Sequence, residues 1–234
     1  MLILLPPSEK KVETTKPTPA INVYSGVLYQ ALGWATLSPA ARKRAASAVV
    51  IISAKYGAVH PDQLIESYKA KIDNNAVRDR VAAVLDPIKT PLIVDCRSST
   101  YKTVWHSPVE RTVEVQVSTV VDGVRKVVTH MSKKTRGDIV RLLLQSRSVA
   151  KTPEDLYAIV SETYPCALTP SDGVNPWILS IFFGLYRTLF ADCAPDLGGF
   201  KSILERFING SATEFADRNI LRKRWRPLRA EGES

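Results

Sequence analysis

Few of the side chains that bind metals or form disulfides are present in this chain. Its 234 residues contain three histidines and three widely spaced cysteines, Cys96, Cys166 and Cys193. An odd number of cysteines at such spacing predicts neither a disulfide framework nor a zinc site. The histidines also lack the i, i+4 spacing of a zinc-peptidase helix. The sequence therefore shows no metal ligands, and we expect no cofactor.

Long hydrophobic runs are also lacking. Met1–Leu5 has no basic flank and stops at Pro6-Pro7, so it predicts a buried first strand rather than a signal peptide. The run Trp177–Phe190 is interrupted by Arg187 and is shorter than the ~20 residues that cross a bilayer. These features exclude a membrane protein and predict a cytoplasmic one.

Basic residues are in excess. The formal net charge is +9, whereas the hydrophobic content of 45% and the charged content of 24% are ordinary for a globular protein. An acidic partner is expected from this balance, with nucleic acid the first candidate.

Strand and helix patterns are mixed along the first 183 residues. β-branched apolar runs predict strands at Leu2–Leu5, Val49–Ser53, Leu92–Cys96, Val113–Val117 and Lys126–His130. Capping residues and apolar spacing predict helices at Pro39–Ala48, Ala76–Leu85, Asp138–Ser146 and Pro153–Glu162. This order indicates an α/β or α+β domain, and we favour an α/β fold with one compact mixed sheet and flanking helices over residues 1–183.

Residues 184–234 differ in character and predict a basic helical C-terminal extension. Ser211–Glu214 has the form of a capping box, and Arg218–Arg229 contains many arginines. Two interpretations remain open, an arm that binds nucleic acid and a solvated helix.

A basic run, His130–Asp138, precedes the predicted helix that begins at Asp138. Lys133, Lys134 and Arg136 then lie near the positive end of the helix dipole, where unpaired N–H groups also point. A bound anion such as phosphate would explain this arrangement of like charges. The alternative is a basic turn whose charges are solvated.

Five segments together resemble the YaaA family of bacterial peroxide-stress proteins. They occur in the family's order and are Ile3–Lys11, Asn22–Tyr29, Ile52–Pro61, Val94–Tyr101 and Val128–Gly137. The form Pro-Pro-Ser-Glu-x-Lys at the first segment is similar to the actinobacterial branch of that family.

The resemblance implies an α/β fold with a positively charged cleft, a role in surviving hydrogen peroxide and limiting iron-driven DNA damage, and DNA binding. It implies no particular reaction, so whether the protein is an enzyme stays open. The basic cleft residues that match are Lys11, Lys55, Lys133, Lys134 and Arg136. Their polar neighbours are Ser8, Glu9, Tyr24, Asp95, Arg97, Ser98 and Tyr101.

One element of the family is missing. Its members have a helix-hairpin-helix, thought to hold DNA, between the first two motifs. Here a short Thr/Pro-rich link, Val12–Ile21, takes its place and cannot hold two helices. DNA binding through that element is therefore not expected.

Several of the matched residues follow predicted strands, and each has a plainer interpretation. Ser98 and the hydroxyls after it suit phosphate binding or a helix cap. Asp95 and Arg97 share one side of their strand, where they orient a substrate or form a structural ion pair. Cys96 points to the other side, so its use as a nucleophile with His130 competes with simple burial.

Two loops carry the remaining candidates. Gly57 allows a turn with positive φ, from which Lys55 would reach a strand-end cleft. Glu9 and Lys11 follow the first strand and would form the other wall. Tyrosines near these loops are core or cleft-wall residues, with one or two able to stack on a base.

Two functions follow from these patterns. The first is a peroxide-stress protein that binds DNA or another phosphate-bearing ligand in a basic cleft. The second is an enzyme acting on a nucleotide, nucleobase or small phosphorylated metabolite, with Lys55, Asp95 or Lys11 as acid–base groups. A scaffold whose basic tail binds an acidic protein is a third reading, supported by charge alone.

Overall fold

The computed structural model describes residues 1–121, 124–126 and 129–183. The strands found there are β1 (Leu2–Leu5), β2 (Thr18–Pro19), β3 (Val49–Ser53), β4 (Gly57–Val59), β5 (Leu64–Ile65), β6 (Ile93–Asp95), β7 (Thr112–Val121), β8 (Val124–Lys126), β9 (Cys166–Thr169) and β10 (Trp177–Phe183). The helices are α1 (Ala20–Val23), α2 (Val27–Leu32), α3 (Pro39–Ala48), α4 (Asn74–Leu85), α5 (Ser99–Lys102), α6 (Thr129–Gln145) and α7 (Pro153–Ser161).

A mixed eight-stranded sheet organises the fold, in the order β4-β3-β1-β6-β7-β10-β9, with β8 paired to β7. The strands β3, β1, β6 and β7 run parallel, whereas β4 is antiparallel to β3, β8 to β7 and β9 to β10. A separate small sheet joins β2 to β5. The predicted α/β fold with a mixed sheet and flanking helices is therefore confirmed.

The parallel strands are buried on both faces, which explains their continuous apolar runs. Ile3, Leu5 and Ile51 face one core, which helices α2, α3 and α6 cover. Leu2, Leu4 and Val50 face a second core against α4. The alternation of side chains along each strand separates these two sets.

The described chain divides into two units. The main unit comprises Met1–Ser118 and Val127–Phe183. The described part of the smaller unit consists of β8 and the last residues of β7. These two strands pair with each other, with Thr119 opposite Lys126. The predicted C-terminal extension, residues 184–234, lies outside the described residues.

Local signals placed several elements well. The helix α3 begins and ends where predicted, and Ser38 caps it by accepting a hydrogen bond from the Ala41 N–H at 3.2 Å. Thr152 caps α7, and Asp155 completes a capping box with it that was not predicted.

The start of α6 corrects two predictions. The strand predicted at Lys126–His130 is wrong, since β8 ends at Lys126 and α6 already begins at Thr129. The helix accommodates these residues because Ser132 and Thr135 turn inward, and the Thr135 hydroxyl donates to the Met131 carbonyl at 2.9 Å. The cations after His130 thus lie inside the helix, so the argument from the helix dipole does not apply to them.

Close contact with α2 fixes the position of α6. A Cβ added at Gly137 would lie 2.1 Å from the Leu28 carbonyl oxygen. The backbone of α6 at Gly137 therefore packs directly against the backbone of α2, and a side chain would not fit between them. One turn later, Arg141 Nη1 donates to the carbonyls of Leu32 and Gly33 at the end of α2, both at 3.0 Å. Among the described residues, no helix is long and apolar enough to cross a bilayer.

Candidate functional site

The loops that follow three parallel strands meet at one edge of the sheet. Because β3, β1 and β6 are parallel neighbours, their carboxyl ends lie together, the place where ligands collect in α/β sheets. The side chains after these strand ends, with those that contact them, form the strand-end cluster. Its members are Lys11, Tyr24, Ser53, Lys55, Tyr56, Tyr68 and Tyr101.

Lys11 is held against two aromatic rings. Its Nζ lies 4.3 Å from the centre of the Tyr68 ring and 5.8 Å from that of Tyr24, within cation–π range. It also donates to the Ser8 carbonyl oxygen at 2.8 Å, and a backbone bridge joins Lys11 to Tyr24. Burial lowers the pKa of Lys11, and the Glu9 carboxylate raises it by a smaller amount.

Three hydroxyl groups form a chain beside this lysine. The Tyr68 hydroxyl lies 3.0 Å from that of Tyr24 and 2.8 Å from Ser53 Oγ. Ser53 Oγ in turn accepts hydrogen bonds from the N–H groups of Lys55 and Tyr56, at 3.2 and 3.0 Å. The chain therefore ties the turn after β3 to Tyr24, and its hydroxyl protons can point in either direction.

Further tyrosine contacts make the cluster rigid. The rings of Tyr24 and Tyr29 stack with centroids 5.3 Å apart, and the Tyr29 hydroxyl donates to the Pro6 carbonyl at 2.7 Å. Burial raises the pKa of both side chains well above the usual value, and raises that of Tyr101 to about 12. These phenols therefore stay protonated and remain hydrogen-bond donors at neutral pH.

Lys55 lies on the outer side of the cluster. Gly57 has a φ of 78°, the predicted positive value, which allows the tight turn that presents Lys55. Its Nζ lies 4.9 Å from the centre of the Tyr56 ring and 3.8 Å from a Glu66 carboxylate oxygen. A hydrogen bond to Tyr56 raises the pKa of Lys55, so it is a cation at neutral pH.

Ser8 and Glu9 form the rim on the β1 side. The Ser8 hydroxyl donates to the Lys10 carbonyl. A Cβ added at Gly26 would lie 2.7 Å from Ser8 Cβ, so the loop packs directly on the start of α2. Glu9 is exposed and interacts electrostatically with Lys11 and Tyr101. Ser8, Glu9, Lys11, Tyr24, Lys55 and Tyr101 are thus brought together by the fold.

Asp95 and Arg97 lie on the other face of the sheet. Both are 1% exposed, and the five N–H groups of the guanidinium all have protein acceptors: Asp95, Ser107 and the carbonyls of Tyr101 and Trp105. They line a separate depression of about 180 Å³ beside Trp105. This geometry favours the structural ion pair over a ligand contact, and the guanidinium also holds α5, the helix that carries Tyr101, through the Tyr101 carbonyl.

Ser98 occupies the position before α5 without capping it. Its backbone carbonyl accepts from the N–H groups of Tyr101 and Lys102, at 2.9 and 3.1 Å, whereas its hydroxyl makes no capping hydrogen bond. The plainer interpretation, a side-chain helix cap, is therefore not what the structure shows. The half-buried hydroxyl lies at the start of α5, the helix that carries Tyr101.

The three predicted site cations of α6 have different contacts. Lys134 Nζ pairs with Asp138 at 2.8 Å, and Asp138 also accepts from the Tyr164 hydroxyl at 3.0 Å. Arg136 Nε donates to the Val115 carbonyl of β7 at 3.3 Å. Lys133 is exposed one turn before Gly137, on the side of α6 that faces α2. Among the described residues, no hydrogen bond or ring contact joins these three to the strand-end cluster.

Cys96 and His130 do not form a catalytic pair. Cys96 is buried in the core under α6, where burial raises its pKa to about 12, while His130 is exposed on the first turn of that helix. In the part of the chain that the structure describes, no group of three His, Cys, Asp or Glu side chains is placed to hold a metal ion.

Comparison with known proteins decides the family. The sequence matches the family described as peroxide stress protein YaaA over residues 7–167. The chain belongs to this family. The match includes every residue of the strand-end cluster and every residue predicted from the sequence to form the site.

Relatives that are 33–36% identical to this chain come from actinobacteria, as the form of the first motif predicted. A UPF0246 protein of Streptomyces coelicolor is 33% identical over 183 residues, which cover 72% of this chain and 70% of the relative. A UPF0246 protein of Corynebacterium glutamicum strain R is 34% identical over 167 residues, 65% of each chain. One of Corynebacterium efficiens is 36% identical over 151 residues, 57% of this chain and 58% of the relative. The match thus spans about two thirds of the length of these relatives.

Some residues of the YaaA-family cluster were not predicted as site residues. Ser53 had a visible signal, since it is the one polar residue at the carboxyl end of the buried strand β3. The sequence signal for Tyr68 was weaker, and consisted only of its position shortly after the third motif. Its contact with Tyr24 joins residues 44 positions apart. Periodicity and spacing contain no information on a contact of that range.

Proposed function

We propose that this YaaA-family protein binds DNA or another phosphate-bearing ligand at the strand-end cluster, and that this binding serves its role in peroxide stress. The observation that carries the proposal is the position of Lys11, whose Nζ is fixed over the rings of Tyr24 and Tyr68 beside three parallel strand ends. The family supports the connection with peroxide stress. A DNA partner would place the protein in the cytoplasm.

The chemistry of the cluster suits phosphate. Lys11 uses one N–H for the Ser8 carbonyl, and an ammonium group has two more to give to phosphate oxygens. Lys55 supplies a second cation at the outer side. Tyr56 and Tyr101 are half-buried and offer ring surface next to these charges, as sites for unpaired nucleotides do.

The cations of α6 have unequal parts in this proposal. Lys133 and Arg136 add positive charge on a neighbouring helix, which attracts an extended polyanion without forming the inner contacts. Lys134 is already neutralised by Asp138, so its contribution is small. A net charge of +9 over the whole sequence strengthens the attraction.

A salt titration tests the electrostatic mechanism. The full chain would bind a fluorescently labelled DNA duplex, followed by anisotropy at several salt concentrations. The logarithm of the binding constant should fall linearly with the logarithm of salt concentration, with a slope of about −0.9 for each phosphate neutralised. A binding constant that does not change with salt would remove this mechanism.

A matched pair of variants locates the site. Lys11→Gln with Lys55→Gln removes two charges from the cluster, and Lys89→Gln with Lys151→Gln removes two exposed charges elsewhere. The first pair should weaken binding strongly and reduce the salt slope by about two, since each lost phosphate contact lowers it by about one. Equal losses in both pairs would mean that net charge alone determines binding.

Truncation after Phe183 separates the cluster from the tail. We propose that residues 1–183 form the binding domain and that 184–234 form an appended basic segment. The truncated chain should keep most of its affinity for DNA. Complete loss of binding in the truncated but folded chain would instead assign binding to the tail.

One observation favours a second candidate, an enzyme acting on a nucleotide, nucleobase or small phosphorylated metabolite. Lys11 combines a lowered pKa with a neighbouring chain of three hydroxyls, and such combinations occur at catalytic sites. Turnover of a phosphorylated compound that is lost in Lys11→Arg would establish this candidate.

A further inference from the structure

Lys11 differs in its surroundings from the other lysines of its loop. Lys10, its neighbour in sequence, is exposed, whereas Lys11 Nζ is enclosed by the faces of Tyr68 and Tyr24 and by the Ser8 carbonyl. These contacts restrict the Lys11 side chain to one conformation, whereas an exposed lysine side chain adopts many. A fixed amine at the mouth of a ligand site is the arrangement that nucleophilic lysines need.

We propose that Lys11 is a nucleophilic amine that condenses with the aldehyde group of a phosphate-bearing substrate, forming an imine. This proposal rests on the proposed function, because the same cluster would hold the phosphate of that substrate. The aldehyde is the class of carbonyl compound that amines attack most readily. Lys55, whose ring contact Tyr56 packs against Tyr68, would supply the cation for the phosphate.

The step balances without any other reactant. The nitrogen lone pair of neutral Lys11 attacks the carbonyl carbon, a C–N bond forms, and the carbonyl oxygen takes a proton. The nitrogen then loses its remaining protons as the C–O bond breaks, and water leaves. The products are one imine and one water molecule, with no change in oxidation state.

Proton transfer in this step has a local route. The carbonyl oxygen must gain two protons, and the nitrogen must lose two. The hydroxyls of Tyr24, Tyr68 and Ser53 are joined at 3.0 and 2.8 Å next to the rings that Lys11 Nζ contacts, and this chain would relay the protons. Burial keeps the Tyr24 phenol protonated by raising its pKa, which leaves it able to donate.

Two effects on the amine oppose each other. The ring faces and the Ser8 carbonyl stabilise the ammonium form, which is not a nucleophile. Burial acts in the other direction and lowers the pKa of Lys11. Because the two forms exchange protons rapidly, the neutral fraction is continually restored, and the rings serve to position the nitrogen.

Reductive trapping tests the proposal on the full chain. The protein would be incubated with glyceraldehyde 3-phosphate and, in parallel, with glyceraldehyde, each with cyanoborohydride, and the lysine adducts would be mapped by mass spectrometry. Lys11 should be modified several times faster than Lys10, and faster with the phosphorylated probe. Adducts on Lys10 at a rate equal to or above that of Lys11 would overturn the proposal.

Two variants make the result specific. Lys11→Arg should lose the adduct, because a guanidinium that stays protonated at neutral pH is not a nucleophile. Tyr68→Phe keeps the ring and breaks the hydroxyl chain, so it should slow the adduct at Lys11 but leave Lys10 unchanged within the same molecule. Equal slowing of both lysines would show that the hydroxyl chain takes no part in the reaction.

The two probes separate this proposal from the proposed function. Faster modification of Lys11 than of Lys10 by both probes equally would keep the reactive amine and remove the phosphate site. Salt-dependent DNA binding without preferential modification of Lys11 would keep the phosphate site and remove the reactive amine.

Discussion

Arg97 and Asp95 form a buried ion pair in which Nη2 lies 2.8 Å from Oδ2. The same guanidinium donates to the carbonyls of Tyr101 and Trp105, at 3.2 and 2.9 Å. A side chain on one face of the sheet therefore holds α5, the helix that carries Tyr101, and the residues that follow it. The role of the pair is structural.

Arg97→Gln should destabilise the protein severely. The substitution leaves the Asp95 carboxylate buried without its partner, which costs about 3–5 kcal/mol in such pairs. Urea denaturation would measure the free energy of unfolding. Lys134→Gln is the matched control, because it breaks a pair whose lysine is 53% exposed and should cost at most about 1 kcal/mol. Similar losses in the two variants would contradict the structural role of Arg97.

Gly137→Ala should also lower the free energy of unfolding. Alanine is favoured over glycine in a helix by about 1 kcal/mol, but here the new methyl group would lie 2.1 Å from the Leu28 carbonyl oxygen. The backbone of α2 cannot shift easily to make room, so the overpacking costs about 1–3 kcal/mol or more. This cost exceeds the gain in helix propensity, and the free energy of unfolding falls. Lys133→Ala, an exposed change on the same helix, should stay within about 0.5 kcal/mol of the parent protein. A Gly137→Ala protein as stable as its parent would mean that α2 and α6 are not in contact.

The described cysteines should resist alkylation. Burial raises the pKa of both Cys96 and Cys166 to about 12, so neither forms a thiolate at neutral pH. In a Cys193→Ser variant, iodoacetamide at pH 7.5 should modify no cysteine in the folded protein and two after unfolding in urea. Rapid alkylation of Cys96 under native conditions would restore it as a candidate nucleophile.

Tyr101 should ionise late in an alkaline titration. Its pKa is raised from 10.0 to about 12 because burial disfavours the phenolate. The folded state holds this proton more tightly than the unfolded state, so the stabilisation is complete below about pH 10 and is lost as the pH rises towards 12. Ultraviolet absorbance of tyrosinate would follow the titration, and Tyr101→Phe should remove a step near pH 12. If the Tyr101→Phe titration instead lacked a step near pH 10, the Tyr101 side chain would be exposed to solvent in the parent protein.

Local signals explain what the sequence predicted correctly. The strands β1 and β3 are short runs bounded by proline or polar residues, and α3 has both Ser38 as cap and Pro39 at its first position. The motifs also placed Lys11, Tyr24 and Lys55 near one another, because each follows or flanks a parallel strand or its loop. These inferences need no information beyond neighbouring residues and the parallel order of strands.

Long-range packing explains the rest. The basic turns of α6 look like a loop in sequence. The helix continues through them because Ser132 and Thr135 turn inward and Gly137 packs against α2. Arg97 resembles a ligand-binding residue until its five acceptors are counted. The hydroxyl chain through Tyr68 likewise depends on residues far apart in the sequence.

Lysine acetylation in the presence and absence of DNA tests the central claim most directly. The claim is that a phosphate-bearing ligand lies on the strand-end cluster, so DNA should protect Lys11 and Lys55 from acetylation while the exposed Lys89 and Lys151 react as before. Mass spectrometry of the full chain would give the rate at each lysine. Protection confined to Lys223, with Lys11 and Lys55 reacting at unchanged rates, would contradict the account.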